Sequence, residues 1–135
     1  MTTFLAGLTL AFALMGCSST GSAQNATSSS QVPSTIAPGV VSGDAAHTLV
    51  AAGIKVVDVR TPAEYASGHV PGAVNIPFDE MPQRYTEVGP PSTPILVYCK
   101  TGRRSGIAIG TLRQKGFTTI YDLQAYDRWV VSAEP

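Results

Sequence analysis

A cysteine stands at the point where an apolar run typical of a buried strand gives way to a loop. The run is Pro94–Tyr98, and Cys99 opens the loop Cys99–Ser105, after which a helical pattern begins. Backbone N–H groups of such a loop converge on its centre, and the free N–H groups of the next helix point the same way. Because this arrangement favours a thiolate over a thiol, we predict that Cys99 is a nucleophile at neutral pH.

The cations of the chain are concentrated around this loop. Residues 88–121 contain five cations and no carboxylate, whereas the rest of the chain carries four cations and nine acids. A cationic rim around a thiolate suits a small anionic substrate. The zero formal net charge and the lack of a basic–aromatic stripe argue against nucleic acid binding. The loop residues predicted to bind the substrate are Lys100, Thr101, Gly102, Arg103, Arg104 and Ser105.

The segments that position this loop alternate between strand and helix patterns. Strands are predicted at 40–41, 55–60, 73–76, 94–98 and 119–123, and helices at 42–52, after Thr61, within 77–85, at 105–115 and around Trp129. The helix after Thr61 has a threonine cap, proline at its first position and Glu64 three residues after the cap. This alternation predicts an α/β domain with a mostly parallel central sheet and helices on both faces. In such a sheet the site lies beyond the carboxyl ends of the strands, where Cys99 falls.

The order of these motifs resembles that of rhodanese-homology domains, which include single-domain sulfurtransferases. Val56–Tyr65 and Gly68–Pro77 are similar to the N-terminal signature of that family, and Cys99–Ser105 is similar to its active-site loop. The segment from Gly116 to the late Trp129 is similar to the ending of the family. The resemblance covers about 90 residues and implies the rhodanese α/β fold.

The resemblance also implies a persulfide mechanism. The Cys99 thiolate would attack the sulfane sulfur of a small anionic donor such as thiosulfate, and the persulfide would pass its outer sulfur to a thiol or to cyanide. No metal or organic cofactor is expected, and a dedicated protein acceptor remains an alternative. Asp58 and Arg60 leave the same face near a strand end. By the resemblance, they are expected to order the catalytic loop.

One segment departs from the family pattern. The family often has a Gly-Gly pair after the last strand, where this chain has Leu123–Trp129 without any glycine. The loop that faces the site from that side is therefore expected to have a different shape, which bears on substrate choice more than on fold.

Two other functions remain open for the cysteine loop. Phosphatases and arsenate reductases on a related fold use Cys-x5-Arg, but the sixth residue after Cys99 is Ser105, and the arginines come fourth and fifth. The loop is one residue short for that role. A non-enzymatic persulfide carrier or redox-sensing module would also retain Cys99.

The N-terminal segment has the pattern of an export signal. The first 43 residues carry no charged side chain, and Phe4–Met15 is an apolar run of 12 residues. A bilayer span needs about 20 residues, so the run fits a signal peptide better. Leu14–Cys17 resembles the lipobox of bacterial lipoproteins, which implies that Cys17 would be lipidated on sulfur and would become the mature N-terminus after cleavage behind Gly16. The start, Met1–Thr3, lacks the usual basic residue.

These features divide the chain into three parts. Residues 1–16 are predicted to be a signal peptide, residues 17–38 a lipidated cysteine with a flexible tether rich in Ser, Thr and Ala, and residues 39–135 the folded domain. We therefore expect an exported protein whose lipid holds it at a bacterial membrane, in an extracytoplasmic or periplasmic location.

Overall fold

The computed structural model describes residues 32–132. The predicted signal peptide, the lipid attachment site Cys17 and most of the predicted tether lie outside the described residues. Within residues 32–132, no helix combines the length and the apolar character that are needed to cross a membrane.

Strands and helices alternate along the described chain, as the sequence pattern predicts. The strands are β1 (Gly39–Val40), β2 (Lys55–Asp58), β3 (Val74–Asn75), β4 (Ile95–Cys99) and β5 (Ile120–Ala125). The helices are α1 (Gly43–Ala51), α2 (Pro62–Ala66), α3 (Met81–Arg84), α4 (Arg103–Gln114) and α5 (Tyr126–Ser132), and a 3-10 helix (Tyr85–Val88) follows α3.

The five strands form one parallel sheet in the order β1-β5-β4-β2-β3. Strand β4 is central and every one of its residues is buried, which explains its uninterrupted apolar sequence. The predicted fold class, a single α/β domain with a parallel sheet, is therefore confirmed. Cys99 is the last residue of the central strand, at the carboxyl edge of the sheet.

Apolar side chains fill the space on both faces of the sheet, because successive strand residues point to opposite sides. Val97 and Cys99 of β4 belong to the cluster that contains Leu112 of α4. Leu96 and Tyr98 belong to the other cluster, which contains Leu49 of α1. The cysteine therefore lies on the α4 side of the sheet.

The element boundaries differ from the predicted ones at three places near the cysteine. Strand β4 runs from Ile95 to Cys99 rather than over 94–98, so Cys99 ends the strand instead of opening the loop. Helix α4 begins at Arg103 rather than Ser105, because Gly102 in a left-handed conformation, not a side-chain cap, starts it. Strand β5 continues to Ala125, two residues beyond the predicted end. In addition, Val32 and Ile36 pack against the core cluster on the α1 side, so folded contacts begin before Gly39.

A buried ion pair lies where β2 ends. Arg60 reaches back to Asp58: its Nε donates to both carboxylate oxygens at 3.0 Å, and its Nη2 donates to Oδ2 at 2.6 Å. The Tyr98 hydroxyl donates to Asp58 Oδ2 at 2.7 Å and accepts the N–H of Val70 at 3.1 Å. Burial, together with the neighbouring carboxylate, raises the pKa of Tyr98 well above its usual value, so this hydroxyl remains a donor.

Further contacts of the ion pair extend to three other elements. Arg60 Nη2 donates to the Gly68 carbonyl at 2.6 Å, and the guanidinium lies 4.5 Å from the centroid of the Tyr126 ring. Burial by itself would lower the pKa of Arg60, but the hydrogen bonds and charge of Asp58 raise it above its ordinary value. The amide of Asn75 donates to the carbonyls of Asp58 and Arg60. The ion pair thus joins β2 to β3, β4, α5 and the turn after α2.

Replacing Tyr98 by phenylalanine should lower the free energy of unfolding by about 1–3 kcal/mol, because it removes a donor from Asp58 and leaves the buried N–H of Val70 without an acceptor. Urea unfolding at pH 7 measures the loss. Tyr121→Phe is the matched control, since the Tyr121 hydroxyl only makes a 3.4 Å contact with the Ile36 carbonyl. Equal losses in the two variants would contradict the importance of the Asp58 network.

Candidate active site

The candidate site is centred on the sulfur of Cys99. The side chain is buried at the end of β4, and its Sγ accepts the backbone N–H of Gly102 at 3.0 Å. Cys99 is the one cysteine among residues 32–132, and it is not in a disulfide. This contact is the one backbone hydrogen bond to the sulfur among the described residues, and the thiolate itself stays a prediction from the sequence.

Gly102 has two functions in the loop. Its φ of 92° lies in the left-handed region, which glycine adopts without steric cost. In this conformation its N–H donates to the Cys99 sulfur. It is also the N-cap of α4, and no side chain caps that helix. The first N–H groups of α4 therefore have no partner within the helix, and they lie at the same end as Cys99.

Ser105 closes the loop from the helix side. The residue is buried, and its hydroxyl donates to the Gly102 carbonyl at 2.9 Å. Asp122 of β5 lies beside it, half-buried, and its Oδ1 accepts the backbone N–H of Gln124 at 2.8 Å. Burial raises the pKa of Asp122, while the hydrogen bond from the Gln124 N–H opposes that rise. The predicted loop residue Ser105 thus acts on the loop backbone.

Arg104 is paired with a carboxylate. Its Nη1 and Nη2 donate to the two oxygens of Glu64 at 2.7 and 2.9 Å, which is a bidentate ion pair. The Arg104 guanidinium holds the pKa of Glu64 well below its usual range. The same carboxylate accepts the N–H and hydroxyl of Thr61, which completes the predicted capping box of α2. This pair fastens the first turn of α4 to α2.

The remaining loop cations are exposed to solvent. Lys100 and Arg103 flank the loop and are both exposed, as is Thr101. Of the more distant cations of the positive segment, Arg113 is exposed and Lys115 lies 4.8 Å from the centroid of the Tyr85 ring. Lys100 and Arg103 are therefore the loop cations available to an incoming anion.

Asp58 and Arg60 reach the site through Tyr98. Tyr98 directly precedes Cys99 in β4, and the ion pair fixes its hydroxyl from the opposite face of the sheet. The predicted supporting residues therefore act on the strand that carries the cysteine.

Three residues that matter at the site are not predicted as site residues by the sequence. Glu64 is predicted only as a helix cap, and the arginine that it binds lies 40 positions further along the chain. The sequence predicts Tyr98 only as a buried strand residue. Gln124 is marked only by the absence of the expected glycines, because its position depends on how β5 pairs with β4.

Among the described residues, no three or more His, Cys, Asp or Glu side chains are arranged so that they could hold a metal ion. Around Cys99, the described residues provide a buried cysteine sulfur, a backbone donor and two exposed cations at the loop.

Comparison with known proteins identifies relatives of this chain. Residues 43–130 match the family model described as the rhodanese-like domain. The chain is 35% identical over 111 residues to the chloroplastic thiosulfate sulfurtransferase 16 of Arabidopsis thaliana, which covers 73% of this chain and 92% of that protein. It is 42% identical over 65 residues to the thiosulfate sulfurtransferase PspE of Escherichia coli, which covers 47% of this chain and 62% of that protein.

The alignments with three of the curated relatives span only 60% to 65% of those proteins. Among solved structures, a rhodanese with anions from E. coli superposes with a TM-score of 0.52 at 35% identity, over 55% of this chain and 88% of that chain.

The Glu64–Arg104 pair should contribute a coupling free energy of about 0.5–1 kcal/mol at pH 7, because both side chains are partly exposed to solvent. The folded state keeps Glu64 charged at pH values where the unfolded chain is protonated. Its contribution is therefore full above about pH 5, begins to decline as the pH falls below about 4, and is lost only as the pH falls through the lowered pKa of the folded state.

A double-mutant cycle with Glu64→Gln, Arg104→Ala and the double variant measures this coupling by urea unfolding at pH 7 and pH 3. The cycle cancels the separate loss of the Thr61 hydrogen bonds. Because the pKa of Glu64 lies well below its usual range in the folded state, the coupling should persist at pH 3. A coupling that is absent at pH 7 would show that this pair does not fasten the loop.

Proposed function

Because the chain belongs to the family of rhodanese-like domains, we propose that it is a sulfurtransferase in which Cys99 carries the transferred sulfur. The observation that supports this most directly is the buried Cys99 sulfur at the carboxyl end of the central strand, with the Gly102 N–H as its hydrogen-bond donor. The relatives named thiosulfate sulfurtransferases make thiosulfate the first donor to test.

In the first step the Cys99 thiolate attacks the outer, sulfane sulfur of thiosulfate. A new S–S bond forms at Cys99, the S–S bond of thiosulfate breaks, and sulfite leaves with the electron pair. The enzyme then holds a Cys99 persulfide. The Gly102 N–H is placed to stabilise negative charge on the cysteine sulfur before attack and again when that sulfur becomes the leaving group.

In the second step a thiolate or cyanide attacks the outer sulfur of the persulfide. The acceptor forms its bond to that sulfur, the S–S bond to Cys99 breaks, and the Cys99 thiolate is restored with the electron pair. Electrons and atoms balance over the two steps without a further oxidant or reductant. A dedicated protein thiol can serve as the acceptor in the same chemistry.

The exposed positive charges beside the cysteine loop support an anionic donor. Lys100 and Arg103 are exposed beside the loop, so their charges face solvent and raise the local concentration of anions. Arg104 is neutralised by Glu64 and acts mainly on loop geometry. The selection of anionic donors is therefore assigned to Lys100 and Arg103.

Cys99→Ser should abolish the transfer of sulfur from thiosulfate to cyanide, because a serine hydroxyl is a far weaker nucleophile at pH 7. The wild-type chain incubated with thiosulfate should gain the mass of one sulfur atom in intact-mass spectrometry, and Cys99→Ser should not. Cys17→Ser is the matched control and should gain sulfur like the wild type. Substantial activity in Cys99→Ser would rule out the mechanism.

We further propose that the enzyme is tethered to a bacterial membrane through lipid on Cys17. The support is the 12-residue apolar run before Leu14–Cys17 and the uncharged segment after it. One acyl chain binds a membrane only marginally, so a stable tether requires the additional chains of a lipoprotein modification. This places sulfur transfer at a membrane surface outside the cytoplasm.

Cys17→Ser should prevent lipid attachment and processing behind Gly16 in a bacterial host, and should change the detergent partitioning of the full-length product. Metabolic labelling with a fatty acid measures attachment, and Cys99→Ser is the control that should keep the label. A wild-type chain without label and with residues 1–16 retained would overturn the tether.

A further inference from the structure

Gln124 has an unusual backbone conformation. Its φ is 69°, and it is the single non-glycine residue with positive φ in the described part of the chain. Residues with a Cβ rarely adopt this left-handed region, because the Cβ crowds the backbone. Such strain persists where the surroundings impose it, and it is concentrated at functional sites.

The surroundings that impose this conformation lie between β4 and β5. Val97 pairs with Asp122 and Tyr98 pairs with Gln124, so Leu123 is an extra residue in β5 and the register shifts there. This is a β-bulge, a feature that redirects side chains next to active sites. The Asp122 carboxylate stabilises the bulge by accepting the Gln124 N–H at 2.8 Å.

The bulge places the Gln124 side chain against the cysteine loop. A Cβ built on Gly102 would lie 3.3 Å from Gln124 Cβ and 3.8 Å from Gln124 Cγ, so these atoms border the loop glycine. Gly102 is the residue whose N–H reaches the Cys99 sulfur. Gln124 is half-buried, so the side chain is partly packed and partly at the surface of the site.

We propose that Gln124 is a specificity-determining residue that forms the β5 wall of the site and restricts access to the buried Cys99 sulfur to small sulfur donors and acceptors. The inference rests on the proposed sulfur transfer. A glycine would adopt the same backbone conformation without strain and would leave this side of the loop open. The chain therefore carries a strained residue with a long side chain where the backbone alone favours glycine.

Size is the property of Gln124 on which this inference depends, so the variants separate size from polarity. Gln124→Ala and Gln124→Gly remove the atoms beyond Cβ, whereas Gln124→Met retains the length of the side chain and removes its amide. Gln124→Gly should also raise the Tm by about 4 °C or more, because it relieves the left-handed strain. Gln124→Gly therefore still tests the inference if Gln124→Ala folds poorly.

The first measurement is chemical and does not require enzyme activity. In the full-length chain with Cys17→Ser, Cys99 is alkylated with iodoacetamide and, separately, with a maleimide that carries a pyrene group, and intact mass gives both rates. The ratio of the two rates cancels changes in the reactivity of the sulfur. The rate with the pyrene maleimide divided by the rate with iodoacetamide should rise about tenfold in Gln124→Ala and Gln124→Gly. In Gln124→Met this ratio should stay within about twofold of the wild-type value.

The second measurement compares acceptors, with thiosulfate as donor. The kcat/KM for glutathione relative to that for cyanide should rise about tenfold in Gln124→Ala and Gln124→Gly, and should be unchanged in Gln124→Met. Ratios within twofold of the wild type in the two small variants would overturn the size filter, as would an equal rise in Gln124→Met. A wild-type chain that transfers no sulfur would overturn the proposed function instead, and the alkylation ratio would still decide the role of Gln124.

Discussion

The buried ion pair between Asp58 and Arg60 is the interaction on which the site depends. Two charges away from water are costly unless their hydrogen-bonding capacity is filled, and here Tyr98 and the Gly68 carbonyl fill it. Tyr98 fixes the strand one residue before the cysteine, and Gly68 fixes the end of the segment that follows α2. Because both attachments use directional hydrogen bonds, the pair specifies where β4 and α2 lie relative to each other, and the loop of Cys99 is built between them.

From that arrangement the position of the first turn of α4 follows. Helix α2 presents Glu64, and Glu64 binds Arg104 through two hydrogen bonds. Because Glu64 neutralises its charge, Arg104 mainly orients the loop. The exposed positive charges beside the loop are those of Lys100 and Arg103. Orientation of the loop and the proposed attraction of an anionic donor thus fall to different cations, although all three lie within five residues of one another.

The opposite side of the loop is shaped by strand pairing. A bulge in β5 places Gln124 in a left-handed conformation beside Gly102, and Asp122 stabilises it through the backbone. The cysteine loop therefore lies between an ion pair on the α2 side and a strained residue on the β5 side. The first holds the loop, and the second bears on which molecules reach a sulfur that is otherwise buried.

Local sequence determined most of the fold, because strand alternation, the threonine cap of α2 and the apolar run before Cys99 are short-range patterns that report the preferences of neighbouring residues. It also predicts Cys99 and its cationic loop as the candidate site. Only the tertiary structure decided the partner of Arg104, the network around Tyr98 and the place of Gln124. Each depends on residues far apart in the chain, or on a register shift of one residue between two strands, and neither leaves a periodic signal in the sequence.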